Sequence, residues 1–248
     1  TDRKKYWKFY YKYKLDSLEE IMNWGDLKEF ARAGTPYAKN SAVSNTIVER
    51  VLYKGVVEVA RRTKCLSKNK TFNLVAETSE YTISQHVSDF LLMDKPGLWW
   101  YNGTDYRQLE PKTRKWLDDN ITNWRTLDSG TPRYYYQEQN VLGIYPKPDT
   151  TESDGAKIYY FAKPTKPSTD EQYAFEGATE ISSLEILEDC ILNYFRWKTL
   201  PMLTKDDEYN RAENQYKRSL VEVIKLIKER PDISASKETR LRGMRIGR

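Results

Sequence analysis

The segment Thr131–Pro148 reads TPRYYYQEQNVLGIYPKP. Three consecutive tyrosines suit two different settings: an aromatic platform for sugars or bases, and the inside of a sheet. Alternation answers part of the question. Successive side chains of an extended strand point to opposite faces, so Tyr134 and Tyr136 share one face and Tyr135 takes the other. In the next run Val141, Gly143 and Tyr145 alternate with Leu142 and Ile144. Two runs matched in this way read as a hairpin whose tyrosines pack across the strand pair.

Strand-like runs continue on both sides of this hairpin. From Thr71 onward TFNLV, EYTIS and SDFLLMD are short β-type runs, and LWWY-NG-TDYRQL carries Asn102-Gly103, a two-residue hairpin signal because both residues tolerate positive φ. A small helix interrupts, with Pro111 at its start and Trp116, Leu117 and Ile121 on one side. Strand character returns once more in AKIYYFAKP.

Helical periods flank this block. Ser17-Leu18-Glu19-Glu20 is a capping box worth about 1 kcal/mol, followed by a short helix that stops near Gly25 or continues to Gly34. Val43, Ile47, Val48, Val51, Leu52, Val56 and Val59 then form one apolar stripe, capped by Asn40 or Ser41 and ending near Lys64. After the Pro- and Lys-rich link AKPTKPSTDEQ, a second box, Ser182-x-x-Glu185, opens a helix striped by Leu184, Leu187, Ile191, Tyr194 and Phe195, which Pro201 ends. Thr204 caps a last helix in which Tyr209, Ala212, Tyr216, Leu220, Val223 and Ile227 recur at three- and four-residue steps. Each large apolar member buried contributes about 1.5–3 kcal/mol, so the stripes outweigh the caps.

The fold class expected is α+β: a helical bundle formed by N- and C-terminal helices, with a β-rich, hairpin- or sandwich-like insertion and extended basic termini. In domain terms this is a basic aromatic arm over 1–14, a bundle from 15–70 and 178–230, a β-rich insertion over 71–177 and a basic arm over 231–248.

Charge follows the same division. Residues 1–14 hold six Lys/Arg against one acid and residues 231–248 hold five against two, so a chain of net charge +5 has a body of net charge −3. A cleft that tracks a nucleic-acid backbone gathers its charge on a folded face; here the excess sits on arms, which suit partner docking. The C-terminal arm, DISASKETRLRGMRIGR, has too few apolar residues for a core of its own and is expected to order only when bound.

Chemistry is hard to find. Cys65 and Cys190 are the only cysteines, which excludes a disulfide framework and fits a reducing compartment. No stretch approaches a membrane span and the N-terminus lacks a signal-peptide pattern, so a soluble, unsecreted protein is expected. His86 is the only histidine and reads as an ordinary surface or turn residue. Asp118-Asp119 and Asp206-Asp207-Glu208 read as solvated acids, the second group at a helix start where the dipole favours negative charge. No nucleotide, nucleophile-elbow or zinc motif occurs, so neither enzyme activity nor any cofactor or metal is expected.

Aromatic residues keep other readings open. Trp99-Trp100-Tyr101 beside a hairpin tip could stack on sugars or bases, against the plainer reading that Trp99 faces the core and Trp100 covers a seam. In the N-terminal arm Trp7, Phe9, Tyr11 and Tyr13 interleave with Lys8, Lys12 and Lys14 as a strand would, a pattern able to extend a neighbour's sheet. Two alternatives follow: a nucleic-acid-binding protein that uses both arms, and a sugar-binding tail module centred on Trp99, Trp100 and the Tyr134 cluster.

The order of the parts carries a further indication. ARRTKCL, FNLVAETSEYTIS, WRTLDSGTPRYYYQEQNVLGIYPKPD, AKIYYFAK, SLEILEDCILNYFRWKTL and DDEYNRAENQYKRSLVEVI, taken in sequence over about residues 40 to 230, resemble the head-tail connector adaptor proteins of tailed bacteriophages. The resemblance implies a structural virion protein at the neck, made in the host cytoplasm, that forms a ring of about twelve copies under the portal and joins capsid to tail. Its implied partners are the portal protein, neighbouring copies of itself, the next neck or tail protein, and genomic DNA that passes through the channel without sequence-specific binding. A mildly acidic body suits a channel wall, because few Lys/Arg contacts to phosphate mean little counterion release. By analogy with adaptors whose terminal segment inserts into the portal, Arg240, Leu241, Arg242, Met244, Arg245, Ile246 and Arg248 are the expected portal contacts. Trp7, Lys8, Phe9, Tyr11, Lys12 and Tyr13 are expected to meet a neighbouring subunit or tail component.

Overall fold

A computed structural model describes residues 22–33, 44–126, 129–175, 184–199 and 206–228. In chain order the elements are α1 (Trp24–Ala33), α2 (Asn45–Thr63), β1 (Ser67–Leu74), β2 (Glu80–Thr82), α3 (Ile83–His86), β3 (Phe90–Tyr101), β4 (Tyr106–Gln108), β5 (Glu110–Pro111), α4 (Arg114–Asn120), β6 (Tyr134–Glu138), β7 (Val141–Tyr145), β8 (Glu152–Ala162), α5 (Leu184–Thr199) and α6 (Asp206–Lys228). The fold is α+β, in two units: one holds the chain up to Cys65 and from Pro164 onward, the other spans Leu66–Lys163.

In the helical unit the apolar stripes fall where the periods put them. Val48, Val51, Leu52, Val56 and Val59 of α2 are buried, as are Leu187, Ile191, Tyr194 and Phe195 of α5 and Ala212, Tyr216, Val223 and Ile227 of α6. Helix α5 packs against α1, α2 and α6 and so forms the centre of this unit. The approach of α2 to α5 depends on Gly55, where an added Cβ would lie 2.8 Å from the Tyr194 ring. Two buried polar side chains on α5 have partners: Thr199 Oγ1 donates to the Phe195 carbonyl at 2.7 Å, and Glu188 Oε1 accepts from the Met22 amide at 3.0 Å.

The caps differ from expectation. Ser44, rather than Asn40 or Ser41, caps α2 by accepting from the Ile47 amide, and Lys64 ends the helix in the left-handed region at φ 57°. Gly25 lies inside the first turn of α1 and does not stop a helix. Asn23 Oδ1 accepts from the Asp26 amide there, and the Trp24 and Gly25 amides donate to the carbonyls of Gln172 and Asp170. These bonds satisfy donors that a helix start leaves open. Both capping boxes rest on Ser17 and Ser182, which with Asn40, Ser41 and Thr204 lie outside the described residues.

The β-rich unit holds two four-stranded sheets, ordered β1-β8-β3-β4 and β2-β7-β6-β5. The opening hairpin is β6 with β7: Tyr134 faces Tyr145, Tyr135 faces Ile144, Tyr136 faces Gly143, and Glu138 faces Val141 across the turn Gln139-Asn140. Tyr136 packs with Leu117, Trp124 and Tyr145 in a small core of its own. Its ring occupies the space above Gly143, where an added Cβ would lie 2.0 Å from Cζ. Its hydroxyl donates to Glu80 Oε1 at 2.5 Å. Burial first, and then that carboxylate, push the Tyr136 phenol well above its ordinary pKa. Tyr135 points the other way, onto Gly97 of β3.

Four local readings are corrected. SDFLLMD and LWWY are one strand, β3, with a bulge in which the five steps from Met93 to Leu98 oppose two on β8, Tyr160 to Ile158. Pro96-Gly97 reads as a break, yet the Pro96 carbonyl accepts from Trp99 Nε1 at 3.0 Å and Gln108 Nε2 at 2.9 Å, which stitches the bulge into the sheet. Tyr101 pairs with Tyr106 around a four-residue loop. There only Gly103 has positive φ, while Asn102 Oδ1 accepts from the Thr104 and Asp105 amides. Pro111 is a strand residue paired in parallel with Tyr135, and α4 starts after Thr113, whose side chain accepts from the Trp116 amide. EYTIS is strand only to Thr82, since Ile83 and Ser84 belong to the single turn α3.

Two substitutions test the close approaches. Gly143→Val forces the buried Tyr136 ring out of its place and is expected to cost about 1–3 kcal/mol, as is Gly55→Val against Tyr194. Urea unfolding of each variant measures the loss; a change below half a kcal/mol in either would refute the corresponding contact.

Candidate docking surfaces

The residues expected to bind partners lie at the two ends of the chain. Trp7, Lys8, Phe9, Tyr11, Lys12 and Tyr13 of the N-terminal arm lie outside the described residues, as do Arg240, Leu241, Arg242, Met244, Arg245, Ile246 and Arg248 of the C-terminal arm.

The described residues form a different surface. On β8 the side chains of Ala156, Ile158, Tyr160 and Ala162 are buried, which turns Lys157 and Tyr159 to the opposite face of the sheet. Register carries Trp99 next to Lys157, Tyr101 next to Tyr106 and Asn69 next to Tyr159 on that outer face. The rings pack tilted against one another, with Trp99 and Tyr159 centroids 5.9 Å apart and those of Tyr101 and Tyr106 5.2 Å apart. The Lys157 ammonium lies 5.3 Å from the Tyr159 centroid and 5.7 Å from that of Tyr106, within reach of a cation–π attraction. Trp99 is therefore on the outer face, and Leu98 takes the inward place that the plainer reading gave it.

Among the described residues nothing joins this surface to the tyrosine hairpin as a single platform. Tyr134 belongs to the other sheet and packs on Trp116 at 5.4 Å, and Tyr135 and Tyr136 are buried. In the helical unit the last two turns of α6 carry more apolar residues than one buried stripe needs. Val223 and Ile227 are buried, whereas Val221 is 66% and Leu226 37% exposed. A helix apolar on more than one side is built for burial on more than one side.

The titratable groups have ordinary structural partners. Asp118 accepts from Trp124 Nε1 at 2.8 Å and pairs with Arg125 at 2.6 Å, and these two groups, the arginine first, hold its carboxyl below the usual range. Asp119 pairs with Lys115 at 3.1 Å. Helix α6 begins at Asp206, so the acidic trio occupies its first turn. No group of metal-ligating side chains is found among the described residues. Nor is any described helix long and apolar enough to cross a membrane. Cys65 and Cys190 are both buried, and burial pushes the Cys190 thiol up to about 11.

The sequence reading missed the outer face, although Lys157 and Tyr159 in AKIYYFAK already alternate with buried neighbours. Comparison with known proteins adds a match to the family described as SU10 adaptor protein, over residues 22–242, or 221 of the 248 residues. No curated protein matches the chain. The matched stretch contains every element from α1 to α6 and runs through Arg240, Leu241 and Arg242, so it reaches further at both ends than the shared pattern of residues 40 to 230 seen in the sequence. The N-terminal arm lies outside it.

His86 offers a pH test because it is the chain's only histidine. Its ring stacks on Phe72 with centroids 4.7 Å apart and meets Tyr81 at 5.9 Å; burial, followed by the nearby Lys70 charge, lowers its pKa. Below about pH 6.5 the unfolded chain then binds a proton that the folded chain resists. Stability is thus fully present above that value and declines as pH falls through the lowered folded pKa. His86→Phe should flatten this part of the profile between about pH 5 and 7 in urea melts; an unchanged slope would contradict the packing described.

Proposed function

Because the chain belongs to the SU10 adaptor protein family, a family of bacteriophage structural adaptors, we propose that it acts as a head-tail connector, forming a ring beneath the portal that joins capsid to tail and lines the DNA channel. The observation that carries this reading is the extent of the match, which takes in both structural units and the start of the C-terminal arm. Structural adaptors are not an enzyme class.

Physical features support the finer reading. A ring of about twelve copies needs heterologous contacts, in which one patch of each subunit meets a different patch of the next. The half-buried rings around Lys157 and the exposed flank of α6 at Val221 and Leu226 are two such patches. Many weak contacts then add through effective concentration. At the C-terminus Arg240, Arg242, Arg245 and Arg248 would pair with portal carboxylates while Leu241, Met244 and Ile246 lose water, and together these gains offset the ordering cost. In the N-terminal arm Trp7, Phe9, Tyr11 and Tyr13, with Lys8 and Lys12, would meet a neighbouring copy or the next tail component. The remaining body, with net charge −3, gives passing DNA little to hold.

Native mass measurement of the protein alone and with its portal tests the proposal. The expected pattern is a monomer that becomes a ring only with the portal; a monomer that ignores the portal would defeat it. Deleting residues 232–248 should abolish portal binding and leave the melting temperature unchanged. Undiminished binding by the truncated chain would remove the arm from this role.

A further inference from the structure

Strand β1 is the outermost strand of its sheet and, at eight residues, the longest open edge among the described strands; the other outer strands β2, β4 and β5 have three, three and two residues. Ala162 donates to the Leu66 carbonyl at 2.8 Å, and the same register continues through Lys68 with Tyr160, Lys70 with Ile158 and Phe72 with Ala156. In an antiparallel ladder, bonded and non-bonded pairs alternate. The N–H and C=O groups of Ser67, Asn69 and Thr71 therefore point away from β8, toward the open edge, and no described residue bonds them. Residues 67 to 70 are exposed. Three donors and three acceptors at two-residue spacing form a template for one more strand.

We infer that this edge receives residues 6–13 of a neighbouring copy as an added strand. The occupant is the segment YWKFYYKY, within the 21 residues that precede Met22. Eight residues of strand cover about 26 Å, the length of β1 itself, and the eight residues 14–21 supply a further span of up to about 28 Å. Trp7, Phe9, Tyr11 and Tyr13 fall on one side of such a strand. Placed beside the small side chains of Ser67, Asn69 and Thr71, they extend the ring-rich face of Trp99, Tyr101, Tyr106 and Tyr159 by one row. Lys8 and Lys12 then fall on the side of Lys68 and Lys70, where Lys68 is already paired with Asp89 at 2.9 Å. Backbone bonds and aromatic burial hold the arm while like charges oppose it. Added salt therefore strengthens this contact, the reverse of a contact driven by opposite charge. A strand passed from each copy to the next is heterologous, as ring closure requires, and in this respect the inference rests on the ring reading.

The test uses two full-length preparations, Asn69→Cys in one and Phe9→Cys or Tyr11→Cys in the other, with native Cys65 and Cys190 buried. They are mixed with portal at low and high salt and treated with a short bis-maleimide. The expected result is a covalent pair containing one chain of each kind, in a yield per assembled ring that holds or rises with salt. Ser67→Pro, placed in the Asn69→Cys chain, removes an N–H that β8 does not use, at the first residue of an edge strand, where proline is tolerated. It should lower the yield about tenfold with the melting temperature unchanged. Amide exchange reads the edge without any substitution: Ser67, Asn69 and Thr71 should slow at least about tenfold in the ring relative to the monomer. A ring that forms while these amides exchange as before, with no mixed pair, overturns the inference and leaves the ring reading standing. Cross-linking of position 11 to position 69 within a dilute monomer of the double variant likewise overturns the neighbour as donor. Failure of the ring itself defeats both.

Discussion

Two tyrosines next to each other in the chain occupy the spaces that two glycines leave open, and the β-rich unit is arranged around them. Tyr136 lies over Gly143 on the neighbouring strand of its own sheet, while Tyr135 points to the opposite face and lies on Gly97 of β3, in the other sheet. An aromatic ring brings a large buried area and demands a partner for its hydroxyl. Tyr136 meets both conditions, with Trp124 at its edge and Glu80 at its oxygen. The β6–β7 register follows, because a one-residue slip would exchange the two faces.

The features legible in the sequence were those written as a period. The stripes of α2, α5 and α6 and the β6–β7 pairing were readable because burial of one face imposes a repeat on the residues. The features that escaped were set by contacts remote in sequence. Asn23 caps α1 in concert with carbonyls of Asp170 and Gln172, and nothing local distinguishes it from any other asparagine. Asn102-Gly103 widened into a four-residue loop because the Asn102 carboxamide collects two later amides. The first half of β8, ESDG, has no apolar residue to announce it, yet it is held as strand by β1 on one side, and by β3 from Ala156 onward. The arms were legible only as composition, and the ring-rich outer face only as alternate positions whose exposure the sequence alone does not fix.

The helical unit keeps its core apart from its exposed apolar residues. Its core lies on α5, which meets three other helices and gives the buried Glu188 and Thr199 partners. Helix α6 lends α5 only one flank, and the apolar residues of its last turns exceed what that flank uses. The core and the exposed apolar residues thus use different sides of one helix. The Tyr216 hydroxyl and the Trp197 indole nitrogen are buried near this seam with no hydrogen bond among the described residues, and the Trp197 and Tyr216 rings stack there 5.4 Å apart.

The bulge in β3 has a consequence of parity. Five steps on one strand against two on the other differ by an odd number, so the odd-numbered Met93 shares the inward face before the detour and the even-numbered Leu98 shares it after. Asp94–Gly97 therefore acts as a phase shifter between two halves of a single strand. Lengthening or shortening it by one residue would leave the composition of the strand almost intact and yet turn Trp99 inward and Trp100 outward. The identity of the ring offered to the outside is thus encoded in the length of a polar detour, not in the tryptophans themselves.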